Sequence, residues 1–152
     1  MNTIEETLDN LNLNESQKRY LTSSFVTIEK LLRHILNLLQ NEPQPGIFYQ
    51  PVNDVPEETT VYIQKQVLEL LNRLHMLKVQ FNLQAVEEKN SRILASELSL
   101  CWASLLDTRP KILSGYGPLT ENTASKLEME INALTLLTTA LIHSINKPNS
   151  SA

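Results

Sequence analysis

Apolar positions recur along most of this chain at intervals of three and four, the spacing that stacks side chains on one face of an α-helix. Between Asn14 and Asn41, the residues Leu21, Phe25, Ile28, Leu32, Ile35 and Leu39 alternate by four and three, as the seam of a helix bundle does. Leu31 and Leu38 widen that stripe on one side, so this helix is expected to touch two neighbours. Asn14 and Gln17 have the spacing of a reciprocal N-terminal cap. A second stripe, Ile63, Val67, Leu70, Leu71, Leu74, Leu77 and Phe81, predicts a helix that begins near Pro56. Proline is tolerated in a first turn, and Glu57 and Glu58 suit the positive end of the helix dipole.

Neither glycine nor proline interrupts the chain from Glu57 to Arg109, yet the pattern changes phase. Leu94, Leu98, Cys101 and Leu105 would fall on roughly the opposite side of a continued helix. A break between Leu83 and Ser91, through the polar Gln84, Glu87, Glu88, Lys89 and Asn90, resolves the conflict. The alternative is one long helix over 57–108 in an extended dimer.

The stretch Arg109 to Leu119 is the clearest punctuation. Pro110 ends the third helix near Thr108 or Arg109. Gly115 and Gly117 suit a tight reversal around Tyr116, and Thr120 is placed to cap a last helix running to about Asn146. That helix carries a core stripe of Leu127, Ile131, Leu134, Thr138, Leu141 and Ile145. Met129, Ala133, Leu136 and Ala140 form a second stripe behind it. A helix apolar on two sides is central or lies at an oligomer interface. Two connections carry apolar side chains of their own. In the loop 41–56, prolines at 43, 45, 51 and 56 exclude regular helix, and Ile47, Phe48 and Tyr49 predict a strap over the bundle, or else a binding loop. Ile112, Leu113 and Tyr116 are expected to plug the end of the bundle; the other reading is a recognition loop presenting Tyr116, Lys111 and Arg109.

The expected fold is all-α: an antiparallel four-helix bundle with a short N-terminal helix and the Pro-rich loop between the first two long helices. It is read as a single domain over 1–152, with 1–13 an N-terminal arm or short helix and 147–152 a disordered tail. Thr3 and Glu6 have capping-box spacing in that arm, where Ile4, Leu8 and Leu11 share a face.

Composition narrows the chemistry. With 152 residues, 41% of them hydrophobic and 20% charged, the chain can bury a core. A net charge of −4 offers no basic surface for nucleic acid, and 5% aromatic residues argue against base-stacking platforms. Cys101 is the only cysteine, which excludes an internal disulfide and a multi-cysteine metal site and fits a reducing compartment. Glu5 and Glu6 stand where a signal peptide would be basic and then apolar, and no apolar run approaches the ~20 residues a bilayer span needs. A cytoplasmic location without membrane contact is therefore expected. Gly115-Tyr116-Gly117 lacks the length and the terminal Lys and Ser or Thr of a phosphate loop. A di-metal bundle needs Glu three residues before His, but those places hold Leu31, Asn72 and Ala140. No metal and no cofactor are expected. Cys101, on a core stripe, reads as a small buried hydrophobe. Glu97 reads as an edge carboxylate, or as an acid facing an internal pocket.

His75 and Lys78 sit three residues apart on a predicted bundle helix, in the run Leu74-His75-Met76-Leu77-Lys78. This resembles the site of histidine phosphotransfer domains, which are four-helix bundles with an exposed phospho-accepting His and a Lys one turn later. The resemblance implies a nucleophilic neutral imidazole at His75 and a lysine at Lys78 that stabilises the phosphoryl oxygens. That family favours a small residue before the His and Gly after the Lys; Leu74 and Val79 occupy those places here.

The leading functional expectation is a non-enzymatic interaction module, a regulator or adaptor that binds a protein partner and forms a homodimer. Met129, Leu136, Ala140, Phe48, Tyr49 and Tyr116 are its candidate contact residues. Phosphotransfer through His75 and Lys78 is the second reading. An apolar ligand pocket between helices, lidded by Ile47, Phe48 and Tyr49, is the third.

Overall fold

The computed structural model describes residues 12–147. The arm expected over 1–13, apart from Asn12 and Leu13, and the tail beyond Lys147 lie outside the described residues. Among the described residues all regular structure is helical. In chain order the elements are α1 (Glu15–Gln40), α2 (Glu57–Gln80), α3 (Asn90–Leu106), a single turn α4 (Pro110–Leu113) running into a 3₁₀ turn (Ser114–Tyr116), and α5 (Glu121–Asn146). The chain divides into two units between Val86 and Glu87.

In the first unit, α1 starts where its cap was expected. The Asn14 side chain accepts from the Gln17 N–H at 2.8 Å, and the Gln17 side chain accepts from the Asn14 N–H at 3.0 Å. Two N–H groups that the helix leaves orphaned are thereby satisfied. At the other end the Asn41 N–H donates to the Asn37 carbonyl at 3.2 Å. α1 and α2 pack on each other. Leu32 and Val67 are the buried centres of that seam, flanked by half-buried Leu21, Phe25, Leu36 and Leu39 on α1 and Ile63, Leu71, Leu74 and Leu77 on α2. Ile28, Ile35 and Leu70, expected in the core, are exposed. The apolar stripe is wider than the arc a single packing partner covers, so its edge is left outside.

The break after α2 is a Schellman stop made without glycine. Asn82 adopts φ 50°. Its N–H donates to the Val79 carbonyl at 3.2 Å, and the Leu83 N–H reaches back to Lys78 at 2.9 Å. Leu83 then tucks in at 5% exposure, the apolar contact that accompanies such a stop. The chain therefore forms two helices between Glu57 and Arg109, not one.

The loop 41–56 is irregular. Gly46 donates its N–H to the Tyr49 carbonyl at 2.9 Å, and the Tyr49 ring lies so close that a Cβ on Gly46 would overlap it. Ile47, Phe48 and Tyr49 are exposed, Phe48 at 97%, so the strap over a core is not what forms. The closed Gly46–Tyr49 turn holds these side chains in a tip that faces water.

In the second unit, α3 ends at Leu106, earlier than Pro110 alone requires. Side chains satisfy its last carbonyls: the Thr108 hydroxyl donates to Leu105 at 2.7 Å and Arg109 Nε to Leu106 at 2.9 Å. Pro110 takes the first position of α4, where its missing N–H costs nothing. In place of a bare tight reversal around Tyr116, residues 110–116 form helical turns, and the positive φ falls on Gly117 at 151°. Thr120 caps α5 by accepting from the Thr123 N–H at 3.3 Å. α3 and α4 pack on α5.

The seam of this unit keeps Leu127, Ile131, Thr138 and Ile145 of the expected α5 stripe and Leu98 and Leu105 of the α3 stripe, but loses one edge of each. Ile131 and Thr138 are its buried centres on α5, with Thr135 and Ile142 half-buried beside them, while Leu134 and Leu141 are exposed. The buried Thr138 hydroxyl is satisfied by the Leu134 carbonyl at 2.8 Å. On α3, Ala95, Leu98, Leu105 and Leu106 face the seam, and Trp102 lies at its edge. Leu94 and Cys101 are exposed, which corrects the reading of Cys101 as a buried hydrophobe. Ile112, Leu113 and Tyr116 are exposed as well, Tyr116 at 90%, and plug nothing.

Candidate functional site

The site is a surface of α5. Taking ~100° per residue, the seam residues Ile131, Thr138 and Ile142 lie on one side, and Met129, Ala133, Leu136 and Ala140 lie diametrically behind. All four of the latter are exposed, Met129 at 57% and Leu136 at 72%. Exposed Leu134, Leu137 and Leu141 join the seam to this back stripe along one flank. The other flank, with Glu128, Asn132, Thr139 and His143, is polar. From Ile131 to Ile142 there is no ionisable side chain. At the N-terminal end, Lys126 pairs with Glu130 at 2.7 Å. A stripe of this kind on a capped, regular helix is rigid, apolar and uncharged, which suits helix-to-helix packing rather than chemistry.

The remaining contact candidates are exposed but separate in the chain. Phe48 and Tyr49 project from the first loop, and Tyr116 from the 3₁₀ turn. α2 carries a further row that sequence reasoning had named only in part. Exposed Val61, Leu68 and His75 recur at intervals of seven, and Val79 follows one turn on. The heptad interval was the available signal, hidden because Lys65 and Asn72 interleave the row. Open depressions run beside Val61, Lys65 and Leu68 on α2, and beside Thr123, Lys126 and Glu130 on α5.

His75 and Lys78 are both exposed, one turn apart. Leu74, in the place of the small residue that phosphotransfer domains favour, faces the seam, and Val79, in the place of their Gly, stands at 69% exposure. Glu97 is exposed. Among the described residues no three His, Cys, Asp or Glu side chains converge as a metal site would need. None of the described helices is long and apolar enough to cross a membrane.

Compared with known protein families, with curated proteins and with solved structures, the chain matches none.

Proposed function

We propose that this chain is a non-enzymatic helical module, a regulator or adaptor, that acts through protein–protein contacts as a cytoplasmic homodimer. Its long helices work as an antiparallel four-helix bundle. The observation that carries the reading is the apolar back of α5, where Met129 and Leu136 stand exposed on a helix whose opposite side already has its seam. An uncharged stripe of that kind in water is covered by a partner or drives association. The test is light-scattering mass of the wild type beside the double variant Met129→Glu, Leu136→Glu. A wild-type dimer and a helical monomeric variant support the interface; a wild type that is monomeric at all concentrations overturns the homodimer.

A second reading rests on the exposure of His75 with Lys78 one turn later. Phosphotransfer predicts acid-labile labelling by acetyl phosphate that His75→Gln abolishes. Label retained in that variant excludes the role.

A further inference from the structure

The back stripe of α5 is not uniformly large. In order it reads Met129, Ala133, Leu136, Ala140: large, small, large, small, at intervals of four, three and four. The midpoint of 129 and 140 lies between Leu134 and Thr135, and so does the midpoint of 133 and 136. A two-fold axis at that point, perpendicular to the helix, therefore sets each large residue of one copy opposite a small residue of the other.

We propose that α5 packs against α5 of a second copy of this chain in that antiparallel register, with Met129 facing the second copy's Ala140 and Ala133 facing its Leu136. The inference rests on the homodimer reading above and specifies its partner face and symmetry. Large-on-small layers fill evenly and let the helix backbones approach. The parallel in-register pairing instead sets Met129 on Met129 and Ala133 on Ala133, so that crowded layers alternate with voids. The interface is also isologous, as a closed dimer requires. Its ends agree: the same register brings Ser125 opposite Ser144 and Asn122 opposite Lys147, so four apolar layers are bounded by polar ones on both sides. Acidic residues stay out of these layers, because Glu128 and Glu130 lie about a quarter turn to either side of the back stripe. A different protein as occupant would give no reason for the stripe to be its own complement.

Thiol crosslinking reads the register directly in the full chain, with the exposed Cys101 replaced by serine. Two preparations are made, Met129→Cys and Ala140→Cys, and each is treated with a short bismaleimide alone and after mixing. In the proposed register a position 129 lies about 16 Å along the axis from its own copy, beyond a short linker, but beside 140 of the other chain. The mixture is expected to give roughly ten-fold more covalent dimer than either preparation alone, since bridging falls away steeply with distance. Strong crosslinking of Met129→Cys with itself overturns the antiparallel register. A dimer by light scattering that no pair crosslinks overturns the choice of face while leaving the interaction reading standing, whereas a monomer removes both. A packing swap gives a second reading free of thiols. Ala133→Leu alone weakens the dimer by setting Leu on Leu, and adding Leu136→Ala restores it by exchanging large for small. Failure of the double variant to recover, with helicity intact, also overturns the register.

Discussion

Asn82 holds the left-handed conformation that ends α2. L-residues with a Cβ enter that region at a cost, and asparagine is among the few that do so readily. Asn82→Ala is therefore expected to destabilise the protein by about 1 kcal/mol in urea unfolding, while Asn82→Gly leaves it at least as stable. Equal losses for both would mean that the side chain, not the backbone, secures the stop. The break itself was legible as a change of phase. Its chemistry was not, because the usual glycine is missing and Asn82-Leu83 is a quieter signal. Cys101 teaches the opposite lesson. Its spacing matched a core stripe, yet it is exposed. It should react with a maleimide in native buffer at close to the rate seen in denaturant. A large native protection factor would show the outer side of α3 covered in solution.

At the scale of elements, each helix has a seam narrower than its apolar surface. Leu32 is buried at 8% exposure, whereas Leu31, one position along the helix, stands at 59%. Leu32→Ala should cost about 2–3 kcal/mol, against under ~0.5 kcal/mol for Leu31→Ala, as chemical denaturation of dilute protein reports. Comparable costs would mean that the flank of α1 is packed. The four long helices, the Asn14 and Thr120 caps, and the place of both loops could be read from spacing and cap chemistry. The rotation of each helix about its axis could not. On α5, Leu134 with Leu141 and Thr135 with Ile142 are both seven apart, and only the packing partner decides which pair turns inward. Residues 110–116 form helical turns for a related reason: Pro110 was read as a stop for α3, but it also starts α4.

For the whole molecule, the candidate site was legible in outline because a doubled stripe needs no partner to be recognised. The exposure of Phe48, Tyr49 and Tyr116 was not legible, because loop contacts have no period. If association covers the back of α5, stability is shared with it, and the melting temperature must rise with protein concentration. A ten-fold dilution is expected to lower it by about 2–5 °C in calorimetry at equal scan rate. A melting temperature independent of concentration would place the stabilising contacts inside one chain. The exposed tip at Phe48 and Tyr49 also makes the connection between α1 and α2 an open tether. Chymotrypsin should cut there first. The nick removes no packed surface, only the high local concentration that the tether imposes on two partner helices. Nicked protein should stay helical when concentrated and unfold on dilution, turning an intramolecular pairing into a measurable binding equilibrium.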